Sequence, residues 1–469
     1  MPLSVSRAAT LVLAVCAAAP LGACSTLDHA AHVATGLVSH QLCSATFVSG
    51  VDPARFRREA LDPTLGPAGS LVRSHVDREH RQVTATLAGL APSRAVYRGE
   101  GYGCLVVRDP PAPPLSPRVH RPAPSLLAPI AGADVVAPAN AALAAAVDHE
   151  FEEPAHGPHR WTKAVVIVRD GRIIAERYAP GYGIDTPMTG WSMTKSVTNA
   201  LMGVLVREGR VDMRQPAPIS AWSDPADPRH RITPDNLLRM ASGLDAGQSL
   251  TATATDAFDP TARMVFAERD MAAFAERAPA AGPPGAKWTY SNINTLLLSR
   301  IIRDQAGGDA AHVRAFADRE LFDKLGMAHV TLEFDAVGDP IGASHMWAPA
   351  RDWARFGLLY LGDGVVGGER ILPEGWVDYS ARLTPGSEHF GYGAGFWTNR
   401  GDSLAARTRV GAGMPADSFM AQGSYGQVAV VIPSARMVIV RMGMAYTPYG
   451  DLAATERLTR EAVAAVKGL

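Results

Sequence analysis

The chain carries no excess of charge of either sign, with 45 basic side chains against 46 acidic ones in 469 residues. A nucleic-acid-binding domain would show a basic stripe, so that class of partner is excluded. Lysine is scarce: five residues against 40 arginines. Arginine stays protonated in any protein setting, so a position that keeps lysine is a candidate for an amine that must lose its proton. Cysteine is scarce too, four in all. Beyond the N-terminus no hydrophobic run is long enough to span a bilayer. There is no G-x-S-x-G elbow, which argues against an α/β-hydrolase, and no H-E-x-x-H pair on which to build a zinc protease. What remains, 47% hydrophobic and 19% charged residues, describes an ordinary globular protein with a sizeable core.

The first residues read as a processing segment. Arg7 precedes an apolar run, Ala8 to Ala19, that ends in Leu21, Gly22, Ala23 and Cys24. That tetrad looks like a bacterial lipobox, which implies a leader over residues 1–23, lipidation of Cys24, and export to the periplasmic side of the envelope, with Ser25 suiting the outer membrane. An ordinary secretory signal is the alternative. Cys16 leaves with the leader, so Cys43 and Cys104 remain, either paired in an oxidising compartment or as two buried thiols. A bridge between them would stabilise by about 4 kcal/mol in the chain-entropy account.

Residues 24–109 form an N-terminal extension, with a hairpin expected over Arg94–Arg108. Residues 110–138 are a proline-rich linker, expected to run extended over the next domain; nine of the 35 prolines fall between Asp109 and Pro138. The main domain spans 139–469. Two β-branched runs flank Asp170-Gly171, a strong hairpin signal. Helical patterning dominates from Ser192 to about Leu325, two strands follow near the C-terminus, and Asp451–Lys467 closes as a helix. The expected fold is α/β of the α+β type. One antiparallel sheet is built from both ends of the catalytic domain and flanked by helices, with an inserted, mostly helical subdomain.

Three stretches carry chemistry. In "GWSMTKSVTNALMGVLVREG" the apolar spacing predicts an amphipathic helix with Ser192 at its start and Lys195 one turn along. The positive end of a helix stabilises an oxyanion, and a desolvated amine accepts a serine proton. In "GAKWTYSNINTLLLSRII", Tyr290 is placed to shuttle a proton if a cationic lysine lowers its pKa, and Asn292 to hold a substrate carbonyl. In "AQGSYGQVAVVIP", glycines lead into a buried strand whose backbone can close an oxyanion hole. Trp191 and Trp288 flank the first two motifs and either line the pocket or pack in the core. The run His149–Arg160, rich in His and Glu, reads as a solvated loop rather than a metal site. His345 and His389 are the weaker candidates for a Ser-His-Asp triad.

The order S-x-x-K, then Y-x-N 98 residues after Ser192, then a glycine-bearing strand, resembles the serine β-lactamase and penicillin-binding protein superfamily. Within it the match is to class C β-lactamase-like serine hydrolases, the group of 6-aminohexanoate-dimer hydrolase and related esterases. The resemblance implies Ser192 as acylated nucleophile, Lys195 as its base, Tyr290 as general acid/base and Asn292 as substrate-binding. The third motif would correspond to Ser424, Tyr425 and Gly426, with Gln427 supplying the oxyanion N–H, and lacks the family's leading cation. That loss argues for esters or small amides over β-lactams or D-alanyl peptides, with no metal or organic cofactor. A non-catalytic envelope binding protein and a true β-lactamase or carboxypeptidase are the alternatives.

Overall fold

A computed structural model describes residues 21–115, 122–245, 247, 257–447 and 451–467. The expected leader lies outside them up to residue 20, and the side chain of Cys24 is likewise outside. Among the described residues no helix is long and apolar enough to cross a membrane.

The N-terminal unit opens with helix α1 (Leu21–Phe47). It continues into a four-stranded antiparallel sheet of β1 (Val72–Asp77), β2 (Gln82–Leu87), β3 (Leu90–Tyr97) and β4 (Cys104–Val106). The expected hairpin is β3–β4, in register Tyr97 to Cys104. Cys43 on α1 is disulfide-bonded to Cys104 on β4, so the bridge ties the helix to the sheet it covers. With a sequence separation of 61 between the two cysteines, the double variant Cys43→Ala/Cys104→Ala is expected to lose about 4 kcal/mol in a denaturant titration. A loss below about 1 kcal/mol would show that docking alone holds the unit.

This unit is not a separate lobe. Its core, including Val38, Leu42, Val83 and Ala95, is continuous with Trp347 and Met444 of the main domain. The proline-rich segment covers the outer edge of the main sheet: Ile130 and Val136 each accept a backbone hydrogen bond from the edge strand, from Ile173 (2.8 Å) and Glu176 (3.1 Å). An edge so covered has no open row of amides for another chain.

The main domain begins with α2 (Ala141–Phe151), β5 (Thr162–Arg169) and β6 (Arg172–Tyr178). Asp170 and Gly171 between the strands have φ of 49° and 76°, the positive values that a type I′ turn needs. After the helical insertion come β7 (Trp397–Thr398), β8 (Phe419–Gly423), β9 (Gln427–Ile432) and β10 (Met437–Gly443). The six strands form one antiparallel sheet in the order β7-β8-β9-β10-β5-β6. The two ends of the domain thus meet at β10–β5, as expected from the sequence. Both faces are covered, so the strands read as unbroken apolar runs. Val165, Ile167 and Ile439 pack under α2 and the C-terminal helix, whereas Val166, Val168 and Val440 face the helical side.

On that side lie α3 (Thr194–Arg207), α4 (Asn292–Ala306) and α5 (Ala350–Leu361); α6 (Leu452–Ala465) closes the other face. α3 departs from the amphipathic helix read from its spacing, since every residue from Thr194 to Leu205 is buried. Its polar positions are satisfied internally: Ser196 donates to Gly395 O (2.6 Å), Thr198 to Gly342 O (2.9 Å) and Asn199 to Ala394 O (2.8 Å). A helix sunk this deeply gives its first turn a fixed position.

Candidate active site

Ser192 lies in a single 3-10 turn, Trp191–Met193, that runs directly into α3. The turn is unusual backbone: Trp191 has φ 46°, a left-handed conformation that a bulky residue adopts only when its surroundings impose it. Gly190 precedes it for lack of room, since a Cβ there would lie 2.4 Å from the Trp353 ring.

One turn along, the Lys195 Nζ reaches Ser192 Oγ (3.0 Å), Asn292 Oδ1 (2.7 Å) and Ala343 O (2.9 Å). The side chain is buried, no carboxylate is among these partners, and desolvation lowers its pKa to about 7. A neutral amine has two N–H donors and one lone pair. With the two carbonyl oxygens taking the donors, the lone pair is left for the Ser192 hydroxyl.

The Tyr290 hydroxyl faces Ser192, and its ring lies 5.0 Å from the lysine nitrogen. Here the sequence expectation is overturned. Burial of the phenol pushes the Tyr290 pKa up rather than down. The phenol therefore keeps its proton at neutral pH. Asn292 begins α4, and its carbonyl oxygen accepts a hydrogen bond from Lys195.

The third motif is shifted from its expected place. A Cβ on Gly423, the last residue of β8, would lie 2.2 Å from Gly190 O and 3.0 Å from the Ser192 nitrogen. Gly423 is thus the glycine packed against Ser192. Gly426 instead offers its carbonyl to Arg441 Nη1 (2.8 Å). The Gln427 side chain exchanges two hydrogen bonds with the Gly443 backbone. Both hold the neighbouring strands, and the motif reads Ala421, Gln422, Gly423. Two glycines three residues apart look alike in sequence, and only the approach of β8 to the Ser192 turn separates them.

Trp288 and Tyr290 pack with Met240 and Tyr392, beside Phe390 and Trp397. This aromatic wall includes Tyr392 and Trp397, which no spacing rule identifies. Trp191 is half-buried and sits between the rings of His345 (6.1 Å) and Tyr425 (5.5 Å). His345 is bonded to Gln41 and Ser344 and His389 is exposed beside Phe390, so neither serves a triad through these contacts. The run from His149 is not a solvated loop at its start: His149 and Glu150 sit on α2, and Glu150 is buried against Arg441, Arg160 and Arg457.

Two groups among the described residues have ligand atoms close enough to share a metal, His40–Glu333–His345 and Asp270–Asp335–Asp339. In the first, Glu333 already accepts from Ser44 (2.6 Å), the Cys104 N–H (2.8 Å) and Trp347 Nε1 (3.0 Å). In the second, Arg300 bridges Asp270 and Asp339.

The beta-lactamase family profile matches residues 147–464. The chain belongs to the beta-lactamase family. It is 29% identical over 311 residues to an uncharacterized protein of Mycobacterium tuberculosis, covering 53% of this chain and 75% of that one. It is 25% identical over 300 residues to the 6-aminohexanoate-dimer hydrolase of Paenarthrobacter ureafaciens, covering 60% and 72%. The solved structure of a putative 6-aminohexanoate-dimer hydrolase from Bacillus anthracis shares the fold, with a TM-score of 0.54 at 22% identity over 65% of this chain and 79% of that one. In this beta-lactamase family member the position leading the third motif is Ala421, buried and without charge.

Proposed function

We propose that the protein is an exported, lipid-anchored serine hydrolase that cleaves an ester or small amide through an acyl-enzyme on Ser192. The observation that carries this reading is the desolvated Lys195, whose third contact is the Ser192 hydroxyl at 3.0 Å. Ser192 Oγ attacks the carbonyl carbon while its proton passes to the Lys195 amine. The developing oxyanion is held by the Ser192 N–H and a backbone N–H at the Gly423–Ser424 end of β8. Tyr290 gives its proton to the leaving oxygen or nitrogen and regains one from the Lys195 ammonium. Water then adds to the acyl carbon by the same route in reverse, releasing the acid and free Ser192.

The nature of the substrate is read from Ala421. A carboxylate-bearing substrate needs a cation to meet its charge, and no basic residue lies in the segment Phe419–Gln427. An uncharged group beside the scissile bond is therefore favoured. The name of the Paenarthrobacter relative supports an amide as the scissile bond. The lipobox-like tetrad Leu21–Cys24 supports the anchor.

The substrate test compares p-nitrophenyl butyrate with nitrocefin under one set of conditions. Ester turnover with a pre-steady-state burst and little nitrocefin hydrolysis is expected. Nitrocefin turned over faster than the ester would overturn the substrate assignment.

A further inference from the structure

Trp191 occupies an unfavourable backbone conformation immediately before Ser192, so something has to hold it there. Both rings that flank it are held in turn by the N-terminal unit. On one side is His345, whose Nε2 accepts a hydrogen bond from the buried Gln41 amide of α1 (3.2 Å). On the other is Tyr425, whose hydroxyl is 2.9 Å from Thr64 Oγ1. Thr64 also meets the Tyr446 hydroxyl (3.0 Å), and the Tyr446 ring lies 5.1 Å from that of Tyr425. His345 is two residues from Ala343, whose carbonyl takes a hydrogen bond from Lys195 (2.9 Å).

The two routes start at different places in the N-terminal unit and converge on the residue before the nucleophile. Neither Gln41 nor Thr64 belongs to the family-matched segment, which begins at residue 147. The disulfide fixes the first route, since Cys43 is two residues from Gln41 and is bonded to Cys104. His40, next to Gln41, reaches the Cys104 carbonyl (3.2 Å).

We propose that the N-terminal unit is a working part of the active site: Gln41 and Thr64 are positioning residues that hold Trp191, and through it Ser192, in attacking geometry. This rests on the reading of Ser192 as nucleophile. It gives the extension a task in catalysis beyond a stabilising cover. It also implies that the family-matched segment expressed alone is a poor catalyst even where it folds.

The test measures the rate of covalent labelling by a fluorophosphonate. Wild type is compared with Gln41→Met, Thr64→Val and Thr64→Ser, each well below its own melting temperature. Met keeps the volume of Gln41 and Val that of Thr64; Met removes the amide contacts with His345 and His40, and Val removes the hydroxyl contacts with Tyr425, Tyr446 and the Ala60 carbonyl. The expected result is a maximal labelling rate about 10-fold lower in Gln41→Met and Thr64→Val, the order of loss for small misplacement of a nucleophile. The concentration giving half-maximal rate should be unchanged, and Thr64→Ser should label like wild type. Melting temperatures should not track the rates. Variants labelled at the wild-type rate would overturn the inference, as would a Thr64→Ser variant as slow as Thr64→Val. Absence of labelling in wild type would instead overturn the reading of Ser192.

Discussion

Lys195→Met is expected to lower kcat/KM for an ester by about 10³-fold or more, the range lost when a positioned base is removed from an activated nucleophile. Methionine fills nearly the same volume, so the loss reports chemistry and not a cavity. The wild-type pH profile carries the same information. The amine accepts a proton only when neutral, so kcat/KM should fall as pH drops below about 7, the value to which burial lowers Lys195. That acid limb should disappear in Lys195→Met. Stability should move the other way. A lysine whose folded pKa is depressed costs the folded state free energy wherever the unfolded chain would carry the proton, which includes neutral pH. Lys195→Met should therefore melt at or above the wild-type temperature. Activity within 10-fold of wild type would remove Lys195 from the mechanism, and an unchanged acid limb would assign that limb to another group.

Gly423→Ala is the second substitution with a large effect. Gly423 has ordinary extended backbone, φ −125°, so alanine introduces no torsional strain. What it introduces is a methyl group 2.2 Å from Gly190 O, and both partners are backbone. Either β8 or the Ser192 turn must shift. A shift of about 1 Å at an attacking oxygen and its oxyanion donors is worth about 10²-fold in rate. Gly426→Ala makes an instructive contrast. Gly426 has φ 81°, so alanine there is strained and costs about 1–2 kcal/mol of stability. Its effect on turnover should be much the smaller of the two. The reverse order would return the oxyanion site to Gly426 and Gln427.

These two sites also mark what can and cannot be read from one chain. The pairing of Ser192 with Lys195 follows from helical spacing alone, because residues three apart share a face. The β5–β6 hairpin follows from Asp170-Gly171, because few dipeptides accept two positive φ values. The depth of α3 does not follow: a spacing with one apolar stripe says nothing of partners such as Gly395 and Gly342, more than 140 residues away, that let Ser196 and Thr198 be buried. The direction of the Tyr290 pKa was missed for a related reason. It depends on the burial of the phenol, which only the packed domain provides. The docking of residues 24–109 was hidden because its contacts, such as Gln41 with His345 across 304 positions, have no local signature.

The central claim is that Ser192 is an activated nucleophile. It is tested most directly by intact and peptide mass spectrometry after fluorophosphonate treatment of wild type and Ser192→Ala. A single adduct on the peptide containing Ser192, absent from the variant, is the predicted result. A folded wild-type protein that takes up no adduct, or a variant that takes it up equally, would contradict the claim.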